Sequence, residues 1–268
     1  YNTAKVTKEC MFVCIKGASF DSHEAAAQAA AGGAVVIVAE RPVEAPAGTC
    51  VVLVKDTRYA LALISAAYFG YPARKLKVIG ITGTKGKTTT TFMNRSILEH
   101  AGIRTGLIGT IETIIGDRHI LAGNTTPESY TIQEYFAAMV EAGCQVVVME
   151  VSSQGLKLHR TAGILFDIGI FTNLAPDHIG PNEHESFVDY LGWKSRLFRQ
   201  CPIGIVNLDD EHCEQILEGH TCQVETYGFS EKADLRASNV ELVSRPGFLG
   251  VAYHVSGLLD LDVEIDMP

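Results

Sequence analysis

What the chain lacks narrows its class first. There is no block of Lys or Arg: 22 basic side chains stand against 31 acidic ones, a formal charge of −9 over 268 residues. A nucleic-acid platform needs a basic stripe to replace the counterions around phosphates, so partners of that class are excluded. No long apolar run occurs either. The longest, 25–39, is mostly Ala and Gly and is broken by Gln28 and the Gly32-Gly33 pair. It is too short and too weakly hydrophobic to cross a bilayer, so no membrane span is expected. The chain does not open on a basic segment followed by an apolar one, which argues against a secretory leader. It begins at Tyr1 rather than Met, so a preceding piece is expected to be missing. The seven cysteines form no Cys-x-x-Cys pair, and an odd, scattered set fits reduced thiols and a cytoplasmic protein. Internal repeats, heptads and low-complexity tracts are absent as well. With 47% hydrophobic and 20% charged residues the chain can bury a core, which excludes wholesale disorder. At roughly 100–200 residues per domain, the length predicts two domains or one large α/β domain.

The patterning favours two. Over residues 1–76, helix and strand signals alternate. Asp21-Ser22 is placed to cap an Ala-rich helix ending at Gly32-Gly33, and the apolar segments 34–39 and 51–54 have the character of buried strands. Asp56-Thr57 caps a further helix that ends at Gly70, and Pro72 forbids its continuation, leaving 70–76 as a linker. Over residues 77–268 strand, loop and helix recur. Strands are predicted over 77–82, 106–111, 145–151, 167–172 and 203–208, and helices over 88–100, 127–142 and 186–200. Thr126-Pro127-Glu128 supplies a cap, a proline at the first helical position and an acid in the first turn. This alternation predicts an α/β fold: a small N-terminal α/β domain, then a mostly parallel sheet with helices on both faces. Residues 259–266, LDLDVEID, have a period of two with four carboxylates on one face. A solvated edge strand explains them, and a metal site is the alternative.

The most informative stretch is 78–91, VIGITGTKGKTTTT. An apolar strand runs into a glycine-containing loop, and a helix follows. Glycines let backbone N–H groups turn inward around phosphate oxygens, and the helix N-terminus adds partial positive charge. Lys87 is placed to reach the β- and γ-phosphates of a nucleotide, and the Thr88 hydroxyl to ligate Mg²⁺. The general G-x-x-x-x-G-K-[ST] pattern asks for glycine at position 81, where this chain has Ile81. The bland alternative is a glycine-rich strand–helix turn with an incidental lysine.

Three further segments offer metal ligands. Glu150 ends a buried-type strand, where an acid is costly unless paired or metal-bound; the alternative is a solvated loop. Asn173, Asp177 and His178 follow another strand, and His184 comes six residues later, so the loop is polar or metal-binding unless His178 is structural. Lys194 falls on the apolar helical face formed by Phe187, Tyr190, Leu191, Leu197 and Phe198, with Trp193 on the other face. A lysine held among apolar side chains loses solvation of its charged form, and its neutral amine can take up CO₂ as a carbamate. A snorkelling lysine at the edge of the face is the alternative.

The variant Thr82-Gly83-Thr84-Lys85-Gly86-Lys87-Thr88-Thr89-Thr90 resembles the Mur ligase family, ATP-dependent amide-forming enzymes of peptidoglycan synthesis related to folylpolyglutamate synthetases. Lys85 stands where Asn is common. The resemblance implies ATP phosphates on Gly83, Thr84, Lys85, Gly86, Lys87, Thr88 and Thr89, with Asn173. It implies Mg²⁺ held by Thr88, Glu150, His178 and a CO₂-derived carbamate on Lys194, and catalysis by Lys87, Glu150, His178 and Lys194. The loop after His178 departs from the commoner Asp-Phe-His-Gly type, leaving the part of His184 open.

Asn124-Thr125-Thr126-Pro127 and the segment 151–160, VSSQGLKLHR, resemble the branch that adds the third amino acid to UDP-MurNAc-L-Ala-D-Glu. Thr125, Thr126, Ser152 and Arg160 would contact that UDP-sugar peptide; Leu158 stands where some members have Gln. Segments 12–17, 21–23 and 33–34 resemble the family's uridine-binding domain, giving residues 1–76 to the UDP-sugar and 77–268 to ATP. Such enzymes continue into a third domain that selects the incoming amino acid, so a truncated ligase is expected, a monomer that binds without efficient ligation. The implied reaction passes through an acyl phosphate, with meso-diaminopimelate or L-lysine as the free amine. Two alternatives stand: a related amide ligase of folylpolyglutamate or cyanophycin synthetase type, and a non-catalytic nucleotide-binding module.

Overall fold

The computed structural model describes residues 2–17, 20–177, 179–181 and 183–266. His178 therefore lies outside the described residues. Strand β1 (Cys10–Val13) is followed by helix α1 (Ala26–Ala31), β2 (Ala34–Ala39) and β3 (Cys50–Leu53). The three strands form a parallel sheet in the order β1-β2-β3. Asp21 caps as its sequence position predicts, accepting from His23 N at 3.0 Å, but it opens a 3-10 turn (Ser22–Ala25) that only then passes into α1. Asp56 caps helix α2 (Thr57–Tyr68) through Tyr59 N, and the 70–76 segment contains a 3-10 turn, Pro72–Lys75.

The second sheet begins at β4 (Lys77–Thr82), which leads into α3 (Lys87–His100) and β5 (Thr105–Ile108). A hairpin of β6 (Glu112–Ile115) and β7 (Arg118–Leu121) follows, then α4 (Ser129–Glu141), β8 (Val146–Glu150) and the short α5 (Ser153–Lys157). Next come β9 (Ile168–Phe171), α6 (Phe187–Ser195), β10 (Ile203–Asn207), α7 (Cys213–Ile216) and β11 (Gln223–Gly228). The described chain closes with β12 (Leu235–Arg245), β13 (Phe248–Gly257) and β14 (Leu261–Asp266). The order is β14-β13-β12-β11-β10-β9-β4-β8-β5-β6-β7. It is parallel from β5 through β8, β4, β9, β10 and β11 to β12, and antiparallel at both margins.

The parallel centre is covered on both faces, and the alternation of strand side chains shows how. In β4, Val78 joins a core with Phe136 and Met139 of α4 and Tyr190 of α6, while Ile79 and Ile81 face Leu98 of α3 on the other side. This is the mostly parallel α/β architecture that the alternating pattern predicts.

Four local expectations change. The segment 51–54, expected to be a buried strand, forms β3 at the edge of the small sheet, where Cys50–Leu53 are all exposed. The helix predicted from Pro127 begins at Ser129, because Thr126 does not cap it: its hydroxyl donates to Glu150 O and accepts from Ser152 N, both at 2.9 Å. The helix predicted over 186–200 is α6 followed by a 3-10 turn, Arg196–Arg199. The strand predicted over 106–111 ends at Ile108, where the β6–β7 hairpin takes over. The carboxylate-rich β14 is the sheet's outer strand: Asp262 pairs with His254 at 2.9 Å and Glu264 with Arg245, as a solvated edge would. All seven cysteines are free, five of them buried. Among the described residues no helix is long and apolar enough to cross a membrane.

Candidate active site

The loop between β4 and α3 is shaped by its two glycines. Gly83 has φ 151° and Gly86 φ 83°, backbone that L side chains rarely adopt. A Cβ at Gly83 would collide with the Thr172 hydroxyl and press on the Asn173 backbone, so the close approach of these two loops also demands glycine. The Asn173 side chain clamps the loop from outside: its Oδ1 accepts from Lys85 N at 2.9 Å and its Nδ2 donates to Lys85 O at 3.0 Å. Lys85 itself is exposed, with its Nζ 3.3 Å from Asp177. Thr84 turns inward, donating to Ala175 O and lying 3.1 Å from the Tyr190 hydroxyl. Thr89 is exposed on the first turn of α3.

Lys87 curls back over the loop and donates to Gly83 O at 2.9 Å and Thr84 O at 3.0 Å. Burial lowers its pKa, with the Glu150 carboxylate opposing and Lys85 assisting. The apolar face of α6 delivers Lys194 to the same carbonyl. Its Nζ donates to Gly83 O at 2.7 Å and lies 4.6 Å from the centre of the Tyr190 ring, and the residue is only 2% exposed. A snorkelling lysine is thereby excluded. Burial holds the Lys194 pKa well below the usual lysine range, and neighbouring Lys87 pushes the same way while Asp177 opposes. Trp193, placed on the other face by spacing, is partly buried and donates from Nε1 to Asp189 at 2.8 Å.

Glu150, at the carboxyl end of β8, is 1% exposed. Its Oε1 accepts from Thr88 Oγ1 at 3.0 Å and Thr110 N at 2.8 Å, and its Oε2 from Thr110 Oγ1 at 2.9 Å. Thr110, absent from the sequence-based candidates, also meets Thr125, at 3.0 Å. Arg160 donates to Thr126 O at 2.9 Å and pairs with Glu128 at 2.8 Å, and Arg58 of α2 reaches the same Glu128 at 3.1 Å.

Some of these parts meet in one pocket of about 230 Å³, lined by Lys87, Lys194, Asn124, Thr125, Thr126, Ser152, Ser153, Gln154, Arg160 and Glu183; Glu150 and Thr88 are not among its lining residues. The structure thus brings the phosphate-loop lysine, the buried lysine and the four predicted substrate contacts together. His184, whose part the sequence leaves open, is 1% exposed and sits between Ser153 and Asp189. The positive-φ, glycine-dependent loop suits a nucleotide's phosphates. Thr88 and Glu150 offer adjacent hydroxyl and carboxylate oxygens, a donor set for a hard cation such as Mg²⁺ that takes its other ligands from phosphate and water. Among the described residues no group of three or more His, Cys, Asp or Glu able to hold a metal occurs.

Comparison with known proteins places the chain as a whole. Residues 81–260 match the Mur ligase middle domain. Over its whole length the chain is 41% identical to a Clostridium acetobutylicum protein named UDP-N-acetylmuramoyl-L-alanyl-D-glutamate–2,6-diaminopimelate ligase 1, and covers 55% of it. A solved structure of a UDP-N-acetylmuramoyl-L-alanyl-D-glutamate–2,6-diaminopimelate ligase superposes with a TM-score of 0.83 at 22% identity, covering 99% of this chain and 54% of that one. A Mycobacterium tuberculosis folylpolyglutamate synthase complexed with ADP and AMPPCP gives a TM-score of 0.61 at 16% identity, over 78% of this chain and 54% of that one. The chain spans about half the length of the curated relatives it matches.

Proposed function

The chain belongs to the Mur ligase family, and on that premise we propose that its pocket activates a carboxylate for ATP-dependent amide ligation in the cytoplasm. The substrate is UDP-MurNAc-L-Ala-D-Glu, and the incoming amine is diaminopimelate, the amino acid in the relatives' names. Residues 1–76 hold the UDP-sugar end, and residues 77–268 hold ATP and the reacting groups. The observation that carries this reading is the convergence of Lys87 and Lys194 on the Gly83 carbonyl inside a pocket that Thr126, Ser152 and Arg160 also line.

The chain's own groups divide the work. Backbone N–H groups from Gly83 to Thr89 and the Lys87 ammonium bind and orient the phosphates, and Asn173 keeps that loop in shape. Thr125, Thr126, Ser152 and Arg160 place the substrate carboxylate in line with the γ-phosphate. Attack by a carboxylate oxygen releases ADP and leaves an acyl phosphate. The amine then adds to its carbonyl carbon, phosphate departs, and the amide nitrogen loses a proton. Thr88 and Glu150 would hold Mg²⁺, together with His178, on the strength of its place in the Thr-Asn-x-x-x-Asp-His segment. When bound, Mg²⁺ neutralises charge developing on the phosphate oxygens. Lys194, as a neutral amine, would form an N–C bond to CO₂ and release a proton, which turns a buried amine into a carboxylate ligand.

The related folate-type ligase is the competing reading. Calorimetric titration of the chain with UDP-MurNAc-L-Ala-D-Glu and, separately, with a folate monoglutamate tests the choice. Saturable binding of the first alone is expected; binding of the folate alone would overturn the assignment.

A further inference from the structure

Beside the phosphate loop stands a hydrogen-bonded line of three side chains that the ligation chemistry above does not use. Asp189 Oδ2 lies 3.0 Å from His184 Nδ1, and His184 Nε2 lies 2.9 Å from Ser153 Oγ. His184 and Ser153 are 1% and 3% exposed, and Ser153 lines the pocket. The polarity of this line can be worked out. Burial by itself would raise the Asp189 pKa, but hydrogen bonds from Lys157 (2.9 Å) and His184 outweigh it and bring the pKa down to about 2, so Asp189 is an ionised acceptor. His184 Nδ1 must then carry the hydrogen. Burial also lowers the His184 pKa, so the ring is neutral near pH 7 and Nε2 keeps a lone pair. Ser153 therefore donates its only hydrogen to His184. The other groups around the imidazole do not alter this in the unliganded chain: Lys157 and the uncarbamylated Lys194 both act against a second ring proton, and the Tyr190 ring packs at 5.2 Å.

A serine whose hydrogen is committed in this way offers only acceptor lone pairs to a ligand. The next residue supplies the opposite polarity, since Gln154 also lines the pocket and its Nε2 is buried without a hydrogen-bond partner. An acceptor and an idle donor on consecutive residues match the N–H and C=O of an amide. We propose that Asp189 and His184 are positioning residues that lock Ser153 as an acceptor for a peptide N–H of the bound substrate, and that Ser153 thereby helps the pocket to recognise the peptide rather than the sugar. This rests on reading the pocket as the UDP-sugar-peptide site.

The test titrates the 268-residue chain and its Ser153→Ala and Ser153→Thr variants with UDP-MurNAc-L-Ala-D-Glu and with UDP-MurNAc, which lacks the peptide. Ring-nitrogen NMR of His184 reads its tautomer in the unliganded wild type. The expected result is an Nδ1–H tautomer, with dipeptide affinity falling on the order of tenfold in Ser153→Ala and recovering in Ser153→Thr, while UDP-MurNAc affinity is unmoved. An Nε2–H tautomer, an unchanged dipeptide affinity in Ser153→Ala, or an equal loss for both ligands would overturn the proposal. A wild-type chain that binds neither ligand would instead overturn the reading of the pocket, and the proposal with it.

Discussion

Lys194 shows how far single residues can be read. Helical spacing put it on an apolar face, and the structure buries it there, but spacing does not reveal that its Nζ reaches the Gly83 carbonyl. Contacts of that kind join positions distant in sequence, so no local pattern encodes them. Thr110 and Ser153 were missed for the same reason: Thr110 belongs to no motif, Ser153 stands in the 151–160 segment without a role of its own there, and each acquires its place from a partner across the fold, Glu150 and His184. Asp189 carries a prediction at this scale. Its folded pKa, about 2, lies below the usual 3.8, so its contribution to stability is present above the unfolded value and is lost as pH falls through the folded one. Urea unfolding from pH 5 to pH 2 should therefore show the stability gap between wild type and Asp189→Asn shrinking by about 2 kcal/mol. A gap independent of pH would show that the Lys157 and His184 contacts do not hold the carboxylate ionised.

Among the elements, those with continuous apolar character were legible and the margins of the large sheet were not. β4, β8, β9 and β10 are paired on both sides and begin and end within about two residues of their predicted bounds. The hairpins β6–β7 and β12–β13 escaped because they lie towards the margins of the sheet, where exposed polar positions interrupt the apolar pattern that marks a strand. Thr126-Pro127-Glu128 looked like a helix start, yet the segment serves the end of β8 instead: Thr126 bridges Glu150 and Ser152, and Glu128 joins Arg160 to Arg58. Centre and edge should respond differently to substitution. A Cβ at Gly80 in β4 would lie 2.7 Å from the Phe166 ring and 3.1 Å from Leu197, so Gly80→Ala should cost about 1–3 kcal/mol in chemical denaturation. Asp262→Asn on β14 should change stability by less than about 0.5 kcal/mol. A large loss at Asp262 would mean that the edge carboxylates are more than a solvated face.

For the whole molecule, net charge argues against a nucleic-acid platform but does not describe the site, where Lys87, Lys194 and Arg160 gather in one pocket of an acidic protein. The four carboxylates of 259–266 belong to the β14 edge of the sheet, while the phosphate loop follows β4 at its centre. The central claim is that the reacting ends of two ligands meet in one pocket, the phosphates of a nucleotide on the Lys87 side and the peptide of a UDP-sugar peptide on the Arg160 side. A crossed titration addresses it most directly: wild type, Lys87→Ala and Arg160→Ala, each against a non-hydrolysable ATP analogue with Mg²⁺ and against UDP-MurNAc-L-Ala-D-Glu. Lys87→Ala should weaken the nucleotide on the order of tenfold or more and spare the UDP-sugar peptide, and Arg160→Ala should do the reverse. Wild type that binds neither ligand, or substitutions that leave both affinities unchanged, would contradict it.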